Sequence, residues 1–441
     1  MPHISVCVRK EVFASPDLSA FARVDELGLV VTGQRLEPDR AVLACRVAAD
    51  DRWCRRCGCE GVSRGTVVRC LAHEPVGWRP TSLEVRVRRY RCAGCGHVWR
   101  QDTSRAARAH AKLSRGAVRW ALEALVVNHL SVARVAAALK VSWNTANDAV
   151  LAEGRRLLID DPARFEGVTA IGVDEHVWRH TPIGDKYVTV IIDLTPVRDR
   201  TGPARLLDMV PGRTKDVFET WLASRPHQWK TRVDVVAMDG FSGFRSAAAS
   251  ELPDATPVMD PFHVVKQAAD ALDTCRRRVQ HAVHHHRGRK TDPLYRARKT
   301  LLTGIDILTR RQTDRLDQLF TDPRYHDVYD MWVTYQEILS SYRARTPTQG
   351  HQRMSRLITD LDTAHPLPKE ALPLRKTLKQ RKADILAYFT IPHTSNGPTE
   401  AINGRLEHLR GTALGFRNLT HYTTRSLLET GGFTPHLHPR L

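Results

Sequence analysis

The sequence lacks the uninterrupted apolar run of roughly 18 residues that a membrane-crossing helix needs. Its longest apolar stretches, at 121–127 and 188–194, are short and carry Glu123 and Asp193. The N-terminus, Met1-Pro-His-Ile-Ser, has no basic stretch leading into an apolar core, so no secretory leader is expected and a cytoplasmic protein is. Acid is in short supply. Asp and Glu number 48 against 67 Lys and Arg, a formal charge of +19, which is more than solubility requires and favours a polyanionic partner. With no membrane segment, that partner is expected to be nucleic acid. Aromatic residues are only 7%, but 42% of the 441 residues are hydrophobic, which excludes a wholly disordered basic tail and allows about three domains of roughly 150 residues.

Cysteine all but vanishes in the second half of the chain. Cys275 stands alone there, and the other eight, including the isolated Cys7 and Cys45, fall before residue 96. A reducing compartment disfavours disulfides. Four form the pairs Cys54-x-x-Cys57 and Cys92-x-x-Cys95, each followed by glycine, Gly58 and Gly96. Such a pair wraps two thiolates around one side of a metal, and two pairs complete a tetrahedral all-sulfur site for one structural Zn2+. Cys59 and Cys70 are spare, and His73 or His97 is an alternative ligand. Between the pairs, Leu83-Glu-Val-Arg-Val-Arg-Arg-Tyr90 alternates apolar and charged residues as a half-exposed strand does. Residues 51–112 therefore read as a zinc ribbon in contact with DNA, and residues 1–50 have no clear role. From 85 to 119 many basic residues accompany one acid, Asp102. Arg86, Arg88 and Arg89 are the candidate phosphate contacts.

Residues 113–163 read as helices. Val118, Leu122, Leu125 and Val126 repeat at helical spacing, and the stretch 131–150 has the pattern of a helix-turn-helix. Ala136 and Ala137 permit close helix approach, Leu139 and Val141 plug the turn, and Ser142 suits an N-cap. The second helix would offer Trp143, Asn144 and Asn147 to a major groove. Lys140 occupies the turn position that often holds glycine, and an ordinary helical hairpin is the plainer alternative.

From 164 the pattern changes. Apolar runs at 168–173, 187–192, 204–210, 233–238 and 256–259 predict strands, the later ones alternating with helices, so a mixed α/β sheet is expected over 164–267. Strand patterns then disappear, and 268–389 reads as a basic helical insertion in which Arg276, Arg277 and Arg278 are candidate DNA contacts. The segment 390–441 returns to the sheet domain. Asp174 and Asp239 each follow an apolar run, which places both at one edge of the sheet, and Glu400 lies near the start of a helix with Asn396 and Asn403 on the same face. Each alone has a plain reading, a turn former or a helix-dipole partner. Together, in a basic protein, the three carboxylates suit two Mg2+ ions on a phosphodiester, with Mn2+ expected to substitute. Glu175 and Asp260 are weaker candidates, Asp193 a supporting acid, and His263 a phosphate contact. His281 and the run 284–286 read as solvated surface rather than a metal site.

At these residues the chain resembles a family. Gly172-Val-Asp-Glu175, Met238-Asp-Gly240, Asp260-Pro-Phe-His-Val-Val265, Ser395-Asn-Gly397 with Glu400, and Gly415-Phe-Arg-Asn418 are similar, in order and spacing, to the motifs of bacterial insertion-sequence transposases of the ISL-three family. The resemblance covers roughly residues 50–430. It implies a multidomain α/β protein with an RNase H-like catalytic domain, preceded by the zinc ribbon and helix-turn-helix, and a DDE triad of Asp174, Asp239 and Glu400. It implies binding of terminal inverted repeats, cutting at the transposon ends and joining of the 3′ ends to target DNA, by a homodimer on paired ends at the bacterial nucleoid. Pro398 departs from the expected pattern. A catalytically silent DNA-binding regulator and an RNase H-like nuclease without strand transfer are the alternatives.

Overall fold

The computed structural model describes residues 16–181, 185–363 and 366–437; Cys7 lies outside them. The chain divides into two compact units, the first running to Asp161 and taking in the C-terminal segment from Phe433, the second spanning Pro162–Gly432.

The first unit is built on a mixed five-stranded sheet. Strands β1 (Leu29–Glu37), β2 (Arg40–Val47), β3 (Gly61–Val76) and β4 (Arg79–Cys92) lie in the order β1-β2-β4-β3, and β5 (Val98–Arg100) pairs with β4. Residues 29–47, whose role the sequence left open, thus share a sheet with the arms that carry the cysteine pairs. Alternation along β4 is as the pattern predicts: Leu83, Val85 and Val87 are buried with Leu43, Cys45 and Leu71, while Arg86 and Arg88 point outward. Helices Arg115–Val126, Val132–Leu139 and Trp143–Gly154 follow. Each begins at a serine, Ser114, Ser131 or Ser142, whose hydroxyl accepts the backbone N–H of the residue three positions on, relieving donors that have no partner inside the helix. Lys140 adopts the left-handed conformation, φ 52° and ψ 48°, so a lysine does at this turn what glycine usually does.

The second unit holds another mixed five-stranded sheet, ordered β10-β9-β6-β7-β8. Its strands are β6 (Ala170–Val177), β7 (Tyr187–Asp193), β8 (Arg205–Pro211), β9 (Val235–Met238) and β10 (Thr256–Met259). β6, β7 and β8 form an antiparallel meander, while β9 and β10 run parallel to β6. Ile171 and Val173 turn to one face and pack with Phe218, Trp221, Val236 and Phe244. The intervening residues Gly172, Asp174 and His176 turn to the other, as the two-residue period of a strand requires.

The described elements between 261 and 390 are all helices, with a core of their own that includes Val264, Leu272, Cys275, Val328, Ile338 and Ile385. The long helix Pro261–His284 buries Val264, Ala268, Leu272, Cys275, Arg276 and Val279 along one stripe. Arg276 falls on this stripe, 6% exposed, and pairs with Asp273 at 2.7 Å. Arg278 is bound by Glu370 at 2.8 Å and Asp327 at 2.7 Å. This corrects the expectation that all three arginines face DNA. A basic run on a helix passes through every face each turn, so only Arg277, 67% exposed, points to solvent.

Candidate functional site

The register of the second sheet aligns three aspartates. Val173 pairs with Met238 and Met238 with Met259, so Asp174, Asp239 and Asp260, each the next residue, stand in a row across parallel strands roughly 4.8 Å apart. β6 itself does not end at Asp174. It continues to Val177 against β7, while β9 stops at Met238, and the acid sits where its parallel neighbour ends.

The row is not uniform. Asp260 is 2% exposed; its Oδ1 accepts the backbone N–H of Asn396 at 2.9 Å, and its Oδ2 lies 3.5 Å from His263 Nδ1. Asp239 accepts the N–H of Phe241 at 2.9 Å. Burial pushes the Asp239 carboxyl above its usual range, although His263 and Arg381 oppose this. Asp174 is pushed to about 7, first by burial and then by the Asp239 charge. The Asp260 carboxylate, and then the charges of Asp239 and Asp174, raise the His263 imidazole above its ordinary range against the opposing effect of burial. Two neighbouring carboxylates that resist ionisation could hold a cation with oxygen preference, and Mg2+ fits that donor type.

Glu400 arrives on the helix Gly397–Thr412, which crosses β6 at its glycine. A Cβ on Gly172 would lie 2.6 Å from Asn396 Oδ1 and 2.8 Å from Thr399 Oγ1, so only glycine permits the approach. Asn396 Nδ2 donates to Val173 O at 3.2 Å, and Asn403 Nδ2 donates to Asp174 Oδ2 at 3.0 Å. Glu400, exposed in the first turn, lies three residues before Asn403 and hence beside it on the helix surface. The structure thus gathers Asp174, Asp239 and the Glu400 helix at one edge.

Other sequence candidates fall elsewhere. Glu175 is directed away from Asp174 by strand alternation and pairs with Arg213 at 3.0 Å. Asp193 is opposite Ile171, held by Thr195 N–H and Arg205 at 2.9 Å each. Arg381 and Asp384 gave no sequence signal. Arg381 is 6% exposed and donates to Gly240 O at 3.3 Å, and Asp384 also binds Arg245 at 2.9 Å, so the helical insertion grips the turn after Asp239.

In the first unit, the Sγ atoms of Cys54, Cys57, Cys92 and Cys95 all lie within 4.8 Å of one another, the one such ligand group among the described residues. Gly58 and Gly96 take φ of 73° and 71°, the left-handed turn that lets each pair fold back, and their N–H groups bond to Cys54 O and Cys92 O at 2.8 and 3.2 Å. The Cys59 backbone N–H, with the Cys92 and Cys95 thiols, lowers Cys57 to about 6. Four thiol donors at this spacing suit tetrahedral Zn2+. His73 is not an alternative ligand: it is buried, bonded to Ser114 Oγ at 2.8 Å and Ala22 O at 2.9 Å.

Arg86, Arg88 and Arg89 are exposed on β4, and Trp143 and Asn144 are exposed at the start of their helix. Asn147 is 2% exposed and bonds to Asp148 at 3.3 Å. It faces the core rather than a groove, which corrects its assignment as a base contact.

Comparison with known proteins gives concordant results. The family model DDE_Tnp_ISL3, described as a transposase, matches residues 171–426. The transposase for insertion sequence element IS1557 of Mycobacterium tuberculosis is 25% identical over 333 residues, 69% of this chain and 70% of its own. The transposase for insertion sequence element IS1001 of Bordetella parapertussis is 24% identical over 384 residues, 84% of this chain and 86% of its own. The solved Drosophila P element transposase strand transfer complex aligns with 70% of this chain and 91% of its own at a TM-score of 0.41 and 11% identity, too slight a likeness to bear on the fold. No described helix is long and apolar enough to cross a membrane.

Proposed function

The chain belongs to the ISL3 family of DDE transposases, and on that premise we propose that it binds the terminal inverted repeats of an insertion sequence, cuts at the ends and joins the 3′ ends to target DNA. The observation that carries the reading is the convergence of Asp174, Asp239 and the Glu400 helix at one sheet edge, with Asn403 bonded to Asp174. We assign Asp174, Asp239 and Glu400 as the catalytic triad on an RNase H-like sheet.

These three carboxylates would hold Mg2+, two ions in the full site. Bound there, the metal supplies positive charge that polarises the phosphodiester and eases deprotonation of the attacking oxygen. Asn403 holds the Asp174 carboxylate in one orientation through its Oδ2. His263, raised above its ordinary range by Asp260, lies at the same edge, where in its protonated form it suits a phosphate oxygen. Water attacks at the transposon end and frees a 3′ hydroxyl; that hydroxyl then attacks a target phosphodiester and displaces a 3′ oxygen, so no covalent bond to the protein forms.

End recognition falls to the first unit: the four-cysteine sheet, with Zn2+ and outward Arg86, Arg88 and Arg89, for phosphates, and the helix beginning at Trp143 and Asn144 for bases. A homodimer is expected because two ends are processed together. The test is a strand-transfer assay with both flanking ends of the element and Mg2+. Joined products support the reading, cleavage without joining leaves a nuclease, and specific binding without either leaves a regulator.

A further inference from the structure

The Glu400 helix ends in a turn that its own residue resists. Leu414 N–H bonds to Gly411 O at 3.1 Å and Gly415 N–H to Arg410 O at 2.9 Å, the paired bonds of a Schellman stop. The first residue past the cap in this motif is left-handed and usually glycine. Here it is Leu414, with φ 54°, and Gly415 comes one position later. A leucine in this conformation is strained, because its Cβ crowds the following carbonyl. It recovers nothing by packing, since Leu414 is 96% exposed. Neither the backbone nor the core selects leucine at this position, and strain that the fold does not need points to function.

The surroundings indicate which function. Along β6 and one residue past its end, Asp174 to Trp178 spans roughly 13 Å, and Asn403 to Arg410 on the Glu400 helix roughly 10 Å, at ordinary rises. Both lead to an open cleft of about 540 Å³ with Leu414 on its wall and Trp178, Arg179, His180, Arg410 and Phe416 among its lining. Its base is rigid: Trp178 and Phe416 both pack on Tyr422, with ring centroids 6.3 and 5.0 Å away, and Tyr422 bonds to His176 at 2.7 Å. Its rim carries two guanidinium groups and one acid. Arg410 donates to Val177 O at 2.9 Å, meets His180 Nε2 at 2.8 Å and is ion-paired with Glu407, which also lines the cleft; Arg179 lies 4.8 Å over the Trp178 ring with its Nε buried and unpartnered.

We propose that Leu414 is a wedge that enters the DNA base stack near the reacting phosphate, and that the cleft beside it receives the displaced nucleotide. Apolar side chains inserted between base steps unstack them, and a basic, aromatic-backed cleft suits the base and phosphate so released. The separation of about 10 to 13 Å corresponds to roughly three or four duplex steps. This inference rests on the transposase reading.

Duplexes carrying the flanking ends of the element, with 2-aminopurine at successive positions on each strand, test it on the full-length protein in Ca2+. Wild type is expected to raise fluorescence several-fold at one position a few steps from the cut. Leu414→Gly should lose that rise while melting at a higher temperature than wild type, since glycine relieves the turn, and Leu414→Met should keep it. An unchanged rise in Leu414→Gly, or no rise in a wild type that binds and cuts these ends in Mg2+, overturns the wedge alone. A wild type that neither binds nor cuts them overturns the transposase reading, and the wedge with it.

Discussion

Asn403 Nδ2 lies 3.0 Å from Asp174 Oδ2, joining two residues 229 positions apart. That bond sets the register of the Glu400 helix on the central strand, so Asn403 is a positioning residue whose loss should loosen two acids together. Asn403→Ala is expected to lower the rate of cleavage about tenfold or more and to raise the Mg2+ concentration needed for half-maximal rate, with end binding intact. An unaltered Mg2+ requirement would assign Asn403 to packing only.

The triad assignment predicts that Asp174→Asn, Asp239→Asn and Glu400→Gln each abolish cleavage and joining while end binding persists, because each keeps shape but removes a metal-holding charge. Asp193→Asn is the comparison. Its carboxylate is committed to Arg205 and Thr195, so the variant should melt earlier yet retain measurable turnover. Full strand transfer by any one triad variant removes that residue from the set. Ca2+ is expected to support binding without turnover, and Mn2+ to replace Mg2+.

A pH dependence follows from the Asp174 carboxyl, held at about 7 mainly by burial. Its folded value exceeds the unfolded one of roughly 3.9. The native state therefore binds the extra proton between those values, and stability without metal should fall as pH rises from about 4 to 7. The loss is on the order of 4 kcal/mol at most. Asp174→Asn should flatten that part of the melting profile, and added Mg2+ should stabilise wild type more at pH 8 than at pH 5. Equal stabilisation by Mg2+ at both values counts against a cation site at these acids.

Zinc is expected at one equivalent per chain. Cys54→Ser or Cys92→Ser removes a buried thiolate ligand, so metal content should fall and end binding weaken, because the loops that carry the ligands have little core of their own. Metal analysis of the purified wild type that finds no zinc would falsify this assignment.

The helix beginning at Trp143 separates two asparagines. Asn144→Ala should cost about 1 to 3 kcal/mol on end DNA and little on random DNA if the exposed amide reads a base. Asn147→Ala should act through stability, lowering the melting temperature because its side chain is buried. The insertion divides likewise: Arg277→Glu should reduce the slope of log affinity against log salt, and Arg278→Ala should destabilise by releasing Glu370 and Asp327. An unchanged slope for Arg277→Glu would place this helix away from DNA.

Local pattern determined a good deal of this. The spacing of the four cysteines, each pair followed by glycine, announces the metal knuckles because the ligands and the turn that folds them are contiguous. Apolar runs at 168–173, 187–192 and 233–238 announce strands, and Ser142 announces the start of the helix at Trp143, because burial and capping act over a few residues. What needed tertiary structure was every question of which distant residue lies alongside. Strand register set Asp174, Asp239 and Asp260 side by side, and the crossing at Gly172 brought Asn403 to Asp174. Helix packing turned Asn147 and Arg276 inward although their neighbours read as surface. Side-chain direction in a strand or helix is periodic and thus legible, but the phase of that period relative to a partner is decided only when elements pack. Nothing in the order of residues around Arg381 or Leu414 marks the one as a grip on the turn after Asp239 or the other as fully exposed; those properties belong to the folded surface.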